Sequence, residues 1–153
     1  MGSLMRAVIQ RVYRACVKIN NQEFSSIKEG ILLLLGVEKG DTTTDADYIL
    51  EKSINLRIFE DEQDKMNRSL LDVNGSLMII SQFTLLGDCT KGRRPSFVKA
   101  EEPSKAKDLY EYFVRQASGK VKILETGKFQ EMMHIELVNN GPVTILLDSG
   151  KSF

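Results

Sequence analysis

The stretch Gly30-Ile31-Leu32-Leu33-Leu34-Leu35-Gly36-Val37 constrains the fold of this chain more than any other. Strands with one solvated face alternate apolar and polar residues, whereas this run is apolar throughout and bounded by glycines. That pattern predicts a strand covered on both faces. Such a strand needs a layer on each side, so the chain must build a sheet with packed elements above and below it. The apolar core of the run, residues 31–35, is far too short to cross a bilayer, and no longer apolar run exists.

The surrounding patterns supply partners. Residues 6–12 and 15–19 read as two strands, followed by an Asn20-Asn21 turn and a short partner near residues 23–26. A helix is expected to start at Thr44, with Asp47 three residues later resembling a capping box and Ala46, Ile49, Leu50 and Ile54 at helical spacing. Charged residues 61–65 form a turn, and Asn74-Gly75 signals a hairpin before a strand over 77–82. Pro103 suits the first turn of a second helix, whose Ala106, Leu109, Tyr110, Phe113 and Ala117 make one apolar, core-type stripe. Residues 132–138 and 143–147 read as strands on either side of Asn139-Asn140-Gly141-Pro142. Short strands with two clear helices imply an α+β domain.

A chain of 153 residues is enough for one domain with a sizeable core, here placed at residues 5–150. Met1-Gly2-Ser3-Leu4 reads as a start-site extension, and no charged stretch followed by an apolar one marks a signal peptide. A cytoplasmic location is therefore expected. Cys16 and Cys89 are far apart and His134 is the only histidine, so no metal-ligand spacing exists and neither metal nor cofactor is expected. The formal net charge is zero, so any contact with nucleic acid must come from local clustering and a small footprint.

Three short runs carry candidate chemistry. Ser81-Gln82-Phe83-Thr84-Leu85 puts polar groups at the end of an apolar strand, where they need partners. Thr84 is open to two readings: a nucleophile, which requires a base that no neighbour supplies, or a β-branched residue ending a strand with its hydroxyl on the backbone. Lys91-Gly92-Arg93-Arg94-Pro95 holds three cations in four residues, suited either to solvent or to phosphates, and Phe97 reads as core more readily than as a stacking platform. Asn140-Gly141-Pro142 favours a turn between two strands. No G-x-S-x-G elbow is present, and His134 alternates with Met132 and Glu136 in a solvated or edge position, so a Ser-His-Asp hydrolase is not expected.

With Met5-Arg6-Ala7-Val8-Ile9-Gln10-Arg11-Val12, Asn55-Leu56-Arg57-Ile58-Phe59-Glu60-Asp61 and Val143-Thr144-Ile145-Leu146-Leu147-Asp148, these runs occur in an order and spacing that resemble the D-aminoacyl-tRNA deacylase family along nearly the whole chain. The resemblance implies a barrel-like, mainly antiparallel sheet with helices outside it, in a symmetric homodimer. It implies hydrolysis of the ester joining a D-amino acid to the 3′ end of tRNA, with glycyl-tRNA also admitted. It assigns Ser81, Gln82, Phe83 and Thr84 to the catalytic pocket, where main-chain N–H groups meet the developing oxyanion and the terminal 2′-hydroxyl of the tRNA assists attack. Lys91, Arg93 and Arg94 are assigned to tRNA phosphates. Gly141 and Pro142 become a Gly-cis-Pro element that reaches into the other subunit's pocket, holds the substrate amino group and excludes an L side chain. Two other classes compete with this: a non-catalytic RNA-binding module built on the cationic loop, and a threonine-nucleophile hydrolase of small esters.

Overall fold

The computed structural model describes residues 4–153; Met1, Gly2 and Ser3, three of the four residues of the expected extension, lie outside the described residues. The elements run β1 (Arg6–Ile19), β2 (Gln22–Ile27), β3 (Gly30–Gly36), α1 (Thr43–Asn55), β4 (Phe59–Glu60), β5 (Met66–Arg68), α2 (Leu70–Val73), β6 (Ser76–Ser81), a 3₁₀ turn (Phe83–Leu86), α3 (Pro103–Ser118), β7 (Ile123–Thr126) and β8 (His134–Asp148).

The main sheet has the order β2-β1-β3-β6-β7, with β8 on the other edge of β1. β1 is antiparallel to β2, β3 and β8, whereas β3–β6 and β6–β7 are parallel. The sheet is therefore mixed rather than mainly antiparallel. Parallel neighbours need long crossovers, and α1 and α3 lie in the two that bracket β6. The sheet curls until Ser25 Oγ of β2 donates to the Thr126 carbonyl of β7 at 2.7 Å, nearly closing a barrel.

β3 is central, as its apolar run requires. Ile31, Leu33 and Leu35 face a core shared with α1 and α3, through Ile49, Leu50, Ile54 and Phe113. Leu32 faces the opposite core, with Val12, Ala15, Val17, Ile27, Met78 and Ile80. Each such side chain contributes roughly 1.5–3 kcal/mol relative to exposure. The glycine that opens the run is fixed by proximity: a Cβ on Gly30 would lie 1.9 Å from the Ser76 carbonyl oxygen on the parallel neighbour.

Several local expectations change. Residues 6–19 are one strand, whose register against β8 shifts between Gln10 and Val12 and again between Val12 and Arg14. The capping box of helix α1 lies two residues earlier than expected, on Thr42 and Asp45 rather than Thr44 and Asp47, and the helix runs from Thr43. Asp47 instead accepts a hydrogen bond from the Tyr112 hydroxyl at 2.7 Å. Asn74 makes no hairpin; it is the left-handed C-cap of α2, with φ 51°. The Asn20-Asn21 turn is as expected, both residues having positive φ, which suits a two-residue hairpin.

The largest change is at the C-terminal strand. β8 is continuous through Asn140-Gly141-Pro142, pairing with β1 at Asn139–Val12 before the segment and at Thr144–Gln10 after it. Four residues, 140–143, thus oppose the single residue Arg11. The expected turn is an enlarged bulge, of more than the usual two residues against one, in a strand that keeps its direction.

Candidate active site

Strand β6 ends at Ser81, one residue short of the expected limit at 82, because the backbone tightens there into the 3₁₀ turn. Gln82 N donates to the Leu35 carbonyl at 2.8 Å, which keeps this junction on β3, and Arg6 Nη1 donates to the Leu85 carbonyl at 2.8 Å. The N–H groups of Phe83 and Thr84 open the turn and have no acceptor within it. Gln82 Nε2 donates to Thr84 Oγ1 at 2.9 Å, so one lone pair of this hydroxyl is occupied and its partner is no base.

These residues border a cavity of about 1070 Å³. Ser81, Gln82, Phe83 and Thr84 all line it; buried Ile80 with half-buried Met133 and Ile135 supply apolar lining, and Ala106 and Phe129 add a second wall. Phe83 and Phe97 meet edge to face with centroids 5.2 Å apart. Phe97 is 38% exposed and lines the cavity, so it is not a core residue. The charged lining consists of Lys39 against Glu101, Glu102 and Glu131. Such a rim attracts a cationic group and repels phosphate.

The rim is braced from behind. Glu101 N donates to the Val37 carbonyl at 3.0 Å and Lys39 N to the Lys99 carbonyl at 2.9 Å. Asp41 Oδ2 accepts from Glu38 N at 2.7 Å, while its Oδ1 is buried and has no partner among the described residues. Burial, reinforced by the nearby carboxylates of Asp45, Glu38 and Glu101, pushes the Asp41 carboxyl up to about 7.

The other expected site residues stand apart from this cavity. Lys91, Arg93 and Arg94 are exposed on a loop closed by the Asp88–Ser96 pairing and do not line it. Gly141 and Pro142 do not line it either; their peptide bond is cis, and Gly141 has φ +150°. His134 is exposed on β8 opposite Lys18.

One residue that the sequence reading passed over organises the bulge. Arg11 is only 4% exposed. Its Nε donates to the Asn140 carbonyl at 2.8 Å, its Nη1 to the Ile58 carbonyl at 2.7 Å, and its Nη2 to Glu60 Oε1 at 3.4 Å. The signal was present: Ala7, Ile9 and Arg11 share one strand face, and a guanidinium on a buried face demands acceptors. Phe129 and Met133 were also missed, because they sit in a connection and at a strand start with no motif of their own.

Comparison with known proteins fits this architecture. A model of the family described as D-Tyr-tRNA(Tyr) deacylase matches residues 8–148. The chain is 58% identical over 149 residues to a D-aminoacyl-tRNA deacylase of Syntrophus aciditrophicus, covering 97% of this chain and all of that one. It is 57% identical over 149 residues, with the same coverage, to the D-aminoacyl-tRNA deacylase of Kosmotoga olearia. Among solved structures, the c-Myc DNA unwinding element binding protein superposes with TM-score 0.89 at 36% identity, over 93% of this chain and 97% of that one. A probable eukaryotic D-amino acid tRNA deacylase shares the fold, with TM-score 0.76 at 16% identity over 95% of this chain and 99% of that one. The chain belongs to the D-Tyr-tRNA(Tyr) deacylase family.

Proposed function

We propose that this protein is a D-aminoacyl-tRNA deacylase that removes D-amino acids from tRNA as a chirality check in translation. The observation that carries the reading is full-length identity above one half with curated deacylases, on a chain whose cavity is lined by the Ser81-Gln82-Phe83-Thr84 segment. Water adds to the ester carbonyl, the bond to the ribose 3′-oxygen breaks, and the proton passes to that leaving oxygen. The N–H groups of Phe83 and Thr84, which have no acceptor within the 3₁₀ turn, are fixed before reaction, so they stabilise the oxyanion with little reorganisation. The terminal 2′-hydroxyl of the RNA assists the attack in place of a protein base.

The acidic rim suits the ammonium group of an aminoacyl ester. Since Gly141 and Pro142 lie outside their own chain's cavity, they act on substrate only in a second copy's pocket. The active unit is accordingly a homodimer with two equivalent sites. There the cis-linked carbonyls hold the amino group and leave no room for an L side chain, while glycine, having none, is admitted. Lys91, Arg93 and Arg94 take phosphates of the acceptor end. The whole unit is one domain over residues 5–150, working in the cytoplasm without metal or cofactor.

Incubation with D-tyrosyl-tRNA and, separately, with a small activated ester tests the reading. The expected result is free tRNA and D-tyrosine with no turnover of the small ester. Binding of tRNA without hydrolysis would make the protein an RNA-binding module, and turnover of the small ester alone would make it a threonine hydrolase.

A further inference from the structure

We propose that the groove between α3 and the β7–β8 connection holds backbone phosphates of the RNA whose 3′ end occupies the cavity on the other side of Phe129. This rests on the deacylase reading and extends its RNA contacts to a second surface. The groove has a volume of about 530 Å³ and is lined by Lys107, Arg115 and Lys128 against a single carboxylate, Glu111. Lys107, Glu111 and Arg115 recur every fourth residue along α3 and so share one helix face. Lys107 and Arg115 make no ion pair among the described residues, and Lys128 has only Glu131 at 3.6 Å.

Charge and geometry together point to RNA. The protein has zero net charge and its reaction cavity is rimmed mainly by glutamates, so that cavity repels phosphates and the attraction must come from its flanks. Phe129 lines both the cavity and the groove, making it the wall between them. The wall is stiffly held: Tyr110 packs on Phe129 with centroids 5.9 Å apart, and its hydroxyl donates to the Ile79 carbonyl at 2.9 Å. A strand whose last nucleotide enters the cavity meets this cationic groove as it crosses Phe129. The backbone that carries these exposed cations belongs to α3 and to the residues just after β7, whereas residues 91–94 lie on a loop on the Phe97 side. Contacts of this kind position RNA without reading its sequence.

The test measures binding of 5′-labelled uncharged tRNA by fluorescence anisotropy across a salt series, for wild type, Lys107→Ala, Arg115→Ala and the Lys107→Glu/Arg115→Glu pair. Lys65→Glu on the β4–β5 hairpin is the control for bulk charge. Each alanine variant is expected to raise Kd roughly tenfold, and to flatten the log–log salt slope by about 0.7. The double variant is expected to lose more, and the control nothing. Wild-type affinity and slope in the double variant, or an equal loss in Lys65→Glu, would overturn the groove. D-tyrosyl-tRNA hydrolysis by wild type is scored separately. Failure there strikes the deacylase reading, while the binding series still decides the groove.

Discussion

Arg11 Nε donates to the Asn140 carbonyl at 2.8 Å, joining the one residue of β1 that faces the bulge to the residue that opens it. The same guanidinium holds the Ile58 carbonyl, so a single buried cation fixes the Asn140-Gly141-Pro142 segment from below and ties it to the start of the β4–β5 hairpin. Truncation to Arg11→Ala leaves the buried Ile58 carbonyl without its donor and should destabilise the fold by about 2–3 kcal/mol. Arg11→Lys keeps the charge but not the forked geometry. It should fold with a smaller loss and still hydrolyse D-aminoacyl-tRNA more slowly than wild type. Urea unfolding and single-turnover hydrolysis check the two effects; unchanged values in both variants would mean that the guanidinium does not hold the bulge.

Gly141→Ala places a methyl 2.7 Å from Val143 Cγ2 and 2.8 Å from Val143 N, at φ +150°. An L side chain is strained there whatever the surrounding space. The variant should lose about 1–3 kcal/mol of stability, and most of its D-ester hydrolysis, measured by thermal melting and by release of free tRNA. A variant as stable and as active as wild type would show that the bulge adapts freely.

Much of this was legible from local pattern. The continuous apolar run at residues 30–37 correctly implied a strand covered on both faces, and Pro103 with its stripe marked α3. What failed depended on long-range pairing. Asn74-Gly75 has the chemistry of a hairpin, but left-handed backbone serves a helix cap equally well, and the parallel partner of β6 lies more than forty residues upstream. Likewise Asn140-Gly141-Pro142 reads as a turn until β1 is seen pairing on both sides of it. Within the cavity, the Ser81–Thr84 cluster was visible as polar residues ending an apolar strand. Phe129 and Met133 carry no signal except their position in three dimensions.

Thr84 Oγ1 accepts from Gln82 Nε2, and the only histidine lies outside the cavity. Thr84→Ala should therefore retain deacylation within roughly tenfold of wild type, whereas loss of a true nucleophile costs about a millionfold. Single-turnover rates with D-tyrosyl-tRNA measure the difference. Complete loss in a folded variant that still binds tRNA would establish the hydroxyl as the nucleophile.

Asp41 gives the fold a dependence on pH. Its carboxyl is raised from an ordinary 3.8 to about 7, chiefly by burial, so the folded chain keeps a proton that the unfolded chain releases. Its contribution should therefore favour folding least at high pH: stability falls as pH rises from about 4 to about 7 and is level above that. Asp41→Asn retains an oxygen to accept from Glu38 N and carries no charge, so it should lose this component of the slope. Urea midpoints between pH 4 and 8 for the two proteins decide the point. Parallel curves would mean that Asp41 ionises normally.

Discrimination between D- and L-esters is the central claim. D-tyrosyl-tRNA and L-tyrosyl-tRNA, presented to the same preparation under single-turnover conditions, should differ sharply, with rapid loss of the D-ester and an L-ester decay no faster than in buffer. Equal hydrolysis of both esters, or survival of the D-ester, would contradict it.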